Sequence, residues 1–423
     1  MDRLSKQYGF YEYFYLFVMV VFMAQISMET RHICFSASNP LPFLIPFLLT
    51  ILLIIKNRIT FNNKWLKIVL FSFICWFVAY SFKIHRFGGE YWFLGVFNLA
   101  FIILYSYIHA AVFGKDLLLI FEKIMVCFSV IALFFYVFQL LSPYAARSFF
   151  SMFPDTEEGG NNFLYLYKYF YETSDRDFYT GLTRNSGCSW EPGRFSIMLI
   201  YAIFVNILRN GKITFNKSFI ILNIALITTF STTGIIILFV EYLLFSVKKV
   251  SFTNMMLFCL IFIPLGYFIF NLDFVSSKIT SQLDAFVNLD TFIRYQGNRD
   301  DSEAILALER IPSIGVEFRN WLEDPLVGYG HWGNSWFYNS VTESATTCGS
   351  LMQVFSTYGI FLGIFFYTCL FVSSQNISRL FGDFRGGILF IITLLSSVSY
   401  PVFGVMFFTS FWFFGLFVNN EVK

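Results

Sequence analysis

Long apolar stretches separated by short polar connections dominate this chain, and a helix that crosses a bilayer needs about 20 predominantly apolar residues. Such runs fall near 10–28, 41–56, 65–83, 91–113, 117–141, 194–209, 216–231, 232–247, 253–271, 347–373, 384–400 and 401–419. The pattern predicts an all-α fold, a polytopic membrane bundle of about twelve transmembrane helices. Two connections break the rhythm, because residues 142–193 and 272–346 far exceed the roughly 12–15 residues beyond which a loop is usually functional or disordered. The chain therefore divides into N-terminal helices (1–141), a first large loop (142–193), central helices (194–271), a second large loop (272–346) and C-terminal helices (347–423).

The placement of basic residues orients the bundle. Arg3, Lys6, Lys56, Arg58, Lys64, Lys67, Lys115, Arg209, Lys212, Lys217, Lys248, Lys249, Arg379 and Arg385 all fall on one side, and only Arg31, Lys83 and Arg86 occupy the opposite short connections. The first side is expected to be cytoplasmic, with both termini on it and both large loops outside. Met1 to Gly9 is polar and no small-residue cleavage site follows the first apolar run, so that run is expected to remain as an anchor.

Composition agrees with immersion in lipid: 57% of residues are hydrophobic, 13% are charged, and mean hydropathy is +0.64. A net charge of +2 gives no footing for a nucleic-acid partner. The 7 cysteines form no metal-ligand spacing, and Cys75, Cys127, Cys259 and Cys369 lie in apolar runs as small core residues. Neither a metal nor a cofactor is expected.

Charge inside such a chain is costly unless used, which draws attention to the segment from Arg184 to Ser196. Gly187 and Pro192-Gly193 turn the backbone, Glu191 follows Trp190, and Arg194 opens a helix. A helix N-terminus near Pro192, with Arg184 and Arg194 beside it, suits an anionic group such as phosphate. The bland alternative is an ion pair of Glu191 with Arg184 or Arg194 that only ties the loop down. In the second loop, Glu309-Arg310, Glu317, Arg319, Trp321 and Asp324-Pro325-Leu326-Val327-Gly328-Tyr329-Gly330-His331 form the dense part. Arg310 and Arg319 are further anion partners, Gly328 and Gly330 allow close backbone approach, and His331 is either a proton acceptor or an ordinary surface residue. The aromatic residues Tyr165, Tyr167, Tyr169, Tyr171, Trp190, Trp321, Trp332 and Trp336 suit sugar rings or the membrane interface, with the interface favoured for the tyrosine-rich stretch. Asp300-Asp301 with Glu303 reads as a solvated acidic cluster rather than a cation site. Glu241 is the notable carboxylate within the membrane, either functional or paired with Lys248 near a helix end.

Arg184-x-x-Gly187-x-x-x-Glu191-Pro192-Gly193 resembles the outer-loop motif of the bacterial O-antigen polymerase and O-antigen ligase superfamily. Ser231-Thr232-Thr233-Gly234 is similar to its Ser-x-x-Gly stretch, and Arg310, Pro325-Leu326-x-Gly328-x-Gly330, Gln353 and Tyr358-Gly359-Ile360 are similar to its second outer loop. The resemblance implies transfer of a glycan from an undecaprenyl-diphosphate carrier on the outer face of the inner membrane. It implies no nucleotide sugar and no required metal. Donor and acceptor would both be lipid-linked oligosaccharides in O-antigen, capsule or exopolysaccharide synthesis, with a flippase and a chain-length regulator as companions. The ligase branch carries a histidine where this chain has Cys348, which favours the polymerase branch; the Arg-x10-Gly pattern of some polymerases is not met, since Phe195 stands at the glycine position.

In that reading Arg184 and Arg310 stabilise the leaving diphosphate, with Arg194 and Arg319 in support. Trp190 and the glycines Gly187, Gly193, Gly328 and Gly330 shape the binding surface. Glu191, or failing it His331, takes the proton of the attacking hydroxyl and gives inversion. The rival from another class is a lipid-linked oligosaccharide flippase, which explains the many helices and Glu241 but needs no pair of Arg-bearing loops.

Overall fold

The computed structural model describes residues 6–25, 41–87, 92–154, 160–169, 183–246, 273–289, 306–307, 310–329, 345–346, 351–383 and 385–418. Helices account for nearly all of its regular structure. In chain order they are α1 (Phe10–Gln25), α2 (Leu41–Asn57), α3 (Lys64–Phe87), α4 (Trp92–Val112), α5 (Asp116–Leu141), α6 (Pro143–Phe150), α7 (Pro192–Asn210), α8 (Lys217–Thr228), α9 (Thr232–Ser246), α10 (Asp273–Val287), α11 (Arg310–Glu323), α12 (Gln353–Leu380), α13 (Gly387–Ser399) and α14 (Met406–Phe413). The strands are short: β1 (Asn161–Phe163) pairs antiparallel with β2 (Tyr167–Tyr169), and β3 (Leu306–Ala307) pairs parallel with β4 (Ala345–Thr346).

Among the described residues, 4 helices are long and apolar enough to cross a membrane, namely Lys64–Phe82, Asp116–Leu141, Pro192–Asn210 and Gln353–Leu380. Shorter apolar helices accompany them. The outward faces carry large apolar side chains that a watery surface would not tolerate in such number, including Phe71, Ile74 and Phe82 on α3, Phe134 and Leu141 on α5, and Phe361 and Ile364 on α12. These faces suit lipid. The helix α7 differs, being buried along nearly its whole length, so it forms the central post of the bundle.

Several expectations need correction. The run 401–419 forms only the 8-residue α14 and a 3-10 turn, Phe414–Leu416, after Pro401 and Gly404 interrupt it. The run 253–271 lies outside the described residues. The large loops hold structure of their own, since α6 and the β1–β2 hairpin occupy the first, and α10 and α11 the second. Tyr167 and Tyr169, expected at the interface, are buried: Tyr167 donates to Gln139 Oε1 at 3.0 Å and Tyr169 stacks on Phe150 at 4.8 Å between centroids.

The helix α12 kinks at Gly359, whose φ of 72° is left-handed. The kink frees backbone groups that the loop after α11 satisfies, because Ile360 N–H donates to Pro325 O at 2.8 Å and Tyr329 N–H donates to Ser356 O at 2.8 Å. Gly328, also left-handed, faces Gly359 across this junction. Any Cβ on Gly359 would lie 2.1 Å from Leu326 O, and one on Gly328 would lie 2.5 Å from Thr357 O. The backbone that approaches Gly328 is thus the chain's own, rather than a ligand. Gly359→Ala should destabilise the protein by about 2–4 kcal/mol, read as a lower melting temperature of detergent-purified protein; an unchanged melting temperature would contradict the interlock.

Candidate functional site

The segment 183–191 is pinned before it reaches α7. Asn185 N–H donates to Thr228 O at 3.0 Å, its side chain donates to Thr228 Oγ1 at 2.9 Å, and Tyr136 OH donates to Thr183 O at 3.1 Å. Gly187 takes a left-handed φ of 52° directly over the Phe195 ring, where any Cβ would clash at 2.4 Å. Arg184 is held from one side by Nε, which donates to Thr229 O at 3.1 Å just past the C-terminus of α8. A cation is favoured there, because the helix carries partial negative charge at that end.

Glu191 is the N-cap residue of α7, yet its side chain makes no capping hydrogen bond. It engages the Tyr400 hydroxyl instead. Pro192 at the first helical position has no N–H to satisfy, and Gly193 has no side chain to obstruct Tyr400. A Cβ on Gly193 would sit 1.8 Å from the Tyr400 hydroxyl, so the glycine exists to admit that ring. Ser196 repeats the device against α9: its hydroxyl donates to Gly193 O at 2.6 Å, and a Cβ on Gly234 would meet it at 2.5 Å.

Arg310, expected in a loop, is the first residue of α11. Its guanidinium donates to Thr233 Oγ1 and, at 3.4 Å, to the Tyr400 hydroxyl, and it lies 5.3 Å from the centroid of the Tyr400 ring. Thr233 in turn shares a hydrogen bond with Ser399 at 3.0 Å. Tyr400 also feels Arg184, and Arg194 feels both Glu191 and Tyr400. Two segments more than a hundred residues apart in sequence therefore place Arg184, Glu191, Arg194 and Arg310 around one phenol. A narrow apolar crevice of about 10 Å³, room for a single water molecule, adjoins them, lined by Arg194, Ile197, Met198, Tyr400, Pro401, Val402, Val405 and Phe408.

Other expected residues fall elsewhere. Arg319 stands nine residues after Arg310 on α11, about two and a half turns on and so on the opposite face. Trp190 flanks the cluster through its backbone, whose carbonyl accepts from Lys168 Nζ at 2.9 Å, while its indole N–H is buried without a partner among the described residues. Gly330, His331, Trp332, Trp336, the Asp300-Asp301-Glu303 cluster and Lys248 lie outside the described residues. Among the described residues, no group of three or more His, Cys, Asp or Glu side chains is placed to hold a metal.

Two members of the site were not anticipated. Tyr400 ends an apolar run and carries no sequence mark of chemistry. Lys168 is only 2% exposed, inside a tyrosine-rich stretch. Burial pushes its ammonium down from an ordinary 10.5 to about 7, a fall that the nearby Glu191 partly opposes.

Compared with known protein families and with curated proteins, the sequence matches none. The class that fold and site define is a helical membrane protein with a cationic cluster at one end of its bundle.

Lys168 gives the protein a pH signature. The folded chain releases this proton near pH 7 and the unfolded chain near 10.5, so between those values the unfolded state binds more protons and stability rises with pH. Below about 7 both states are charged and the burial cost applies in full. The melting temperature of the parent protein should therefore climb relative to Lys168→Met as pH rises through this window. Parallel curves for the two proteins would contradict the assignment.

Proposed function

We propose that this chain is an oligosaccharide repeat-unit polymerase, a membrane glycosyltransferase that moves a glycan from an undecaprenyl-diphosphate carrier onto a lipid-linked acceptor. The observation that supports it most is the meeting of Arg184 and Arg310 at Tyr400, with Arg194 and Glu191 at the start of α7. Positive charge there outweighs the one carboxylate, as an anionic diphosphate requires. Apolar side chains, Ile197, Val402, Val405 and Phe408, line a narrow crevice beside the cluster, so a polyprenyl chain would approach along this flank. In this reading the bundle has about twelve spans in the inner membrane, both termini are cytoplasmic, and the cluster faces outward.

The chemistry is a displacement at the anomeric carbon. An acceptor hydroxyl oxygen forms the new bond, the bond to the diphosphate oxygen breaks, and the hydroxyl proton passes to Glu191. Arg184 and Arg310 receive the charge that develops on the leaving diphosphate, and Arg194 keeps Glu191 in place. A single carboxylate acting opposite the leaving group gives inversion. No metal or cofactor is called for, and companions such as a flippase and a chain-length regulator follow from the resemblance alone.

Purified protein given lipid-linked repeat units should lengthen them, as read by mass. Arg184→Ala and Arg310→Ala should each slow elongation by about 10²–10³-fold while leaving insertion intact, and Glu191→Gln should do the same. Normal ladders from both arginine variants would overturn the assignment. Substrate that moves between leaflets with its mass unchanged would make the protein a flippase, and lengthening confined to a lipid A core acceptor would make it a ligase.

A further inference from the structure

Glu241 takes no part in the cluster described above. It lies on α9 nine residues beyond Thr232, about 13 Å along the helix axis from the Arg310 end. It is 0% exposed, and neither carboxyl oxygen finds a hydrogen-bond partner among the described residues. An ionised carboxylate in that setting would carry the full cost of a buried unpaired charge, whereas a protonated one avoids most of it.

Among the described residues, the groups facing Glu241 offer no compensating cation. From α7 comes Tyr201, and from α9 itself comes Tyr242, whose hydroxyl is committed to Asn223 on α8. The helix α13 contains no titratable residue, and the one on α8 is the exposed Lys217, two residues before Phe219, whose ring packs 5.8 Å from that of Tyr242; its ammonium makes no bond to the Glu241 carboxyl. Arg385 reaches the carbonyl of Phe245, one turn below Glu241, but its guanidinium is already engaged by Asp383 at 2.6 Å.

Hydroxyl groups lie between this carboxyl and the Arg310 end, although neither the carboxyl nor Ser396 Oγ is hydrogen-bonded among the described residues. The Tyr201 hydroxyl donates to Thr393 Oγ1 at 2.9 Å and borders Ser396. One turn further along α13, Ser399 shares its hydrogen bond with Thr233, which receives Arg310.

We propose that Glu241 is a proton-binding site within the bilayer, and that reorientation of the Tyr201, Thr393 and Ser396 hydroxyls carries its proton toward the Arg310–Thr233–Ser399 end of the bundle. The ligand is a proton, and the proposal does not depend on the glycan reading.

Infrared difference spectroscopy of the full chain in lipid nanodiscs tests it without reference to enzymatic activity. The carbonyl stretch of a protonated carboxyl should be present at neutral pH, shift on transfer to deuterated water, and vanish in Glu241→Gln. Glu241→Asp, which keeps a carboxyl, should retain a shifted band and serves if the glutamine variant is not recovered. Tyr201→Phe should slow the deuterium shift severalfold. A carboxylate band in place of the carbonyl band would overturn the proposal and point to an ion pair, for instance with Lys248. A deuterium shift equally fast in Tyr201→Phe would overturn the connection.

Discussion

Guanidinium groups repel one another, and this site holds three of them around the Tyr400 hydroxyl and the Glu191 carboxylate. The hydrogen bond between those two groups is the contact on which the rest is built. It takes Glu191 away from its ordinary duty of capping α7, which leaves the helix start facing the cluster with its own partial positive charge. It also demands Gly193, because no side chain fits where the Tyr400 hydroxyl lies. Arg310 then arrives from α11 and shares the same phenol, which joins the second large loop to the first.

The arrangement is polarised along the bundle. The starts of α7, α9 and α11 and the end of α13 meet at the cluster. The opposite ends carry paired charges, with Arg209 held by Glu122 at 2.9 Å and Arg385 by Asp383 at 2.6 Å. Buried guanidinium groups are thus each matched by a carboxylate at one end, whereas three share a single carboxylate at the other. In the proposed function, a ligand with two negative phosphates supplies the missing balance. Specific electrostatics at one end and a uniformly apolar flank are what a lipid-borne anionic substrate asks of a protein.

Much of this was legible in the chain, for reasons that particular residues make plain. Apolar runs gave away α3, α5 and α7 because period and length carry that signal directly. Arg184, Glu191, Arg194 and Arg310 stood out because charge beside such runs is expensive. Tyr400 did not stand out, since a tyrosine at the end of an apolar run reads as an interfacial anchor and its partners lie far away in sequence. Lys168 was hidden among tyrosines whose burial depends on α5 and α6 packing over them. Gly328 was read as making room for a ligand, and the structure shows it making room for the kink at Gly359; one sequence gives no means of telling backbone from ligand as the neighbour of a glycine. The helix α11 is hard to read from the chain because it opens with Arg310-Ile311-Pro312, and Pro is acceptable in a first helical turn but breaks a helix elsewhere.

The most direct measurement is a cryo-electron microscopy structure of the protein in lipid nanodiscs with bound polyprenyl diphosphate. Phosphate density within hydrogen-bonding reach of both Arg184 and Arg310, next to Tyr400, is the predicted result. Density for the diphosphate elsewhere on the bundle, or guanidinium groups of Arg184 and Arg310 that share no ligand, would contradict it.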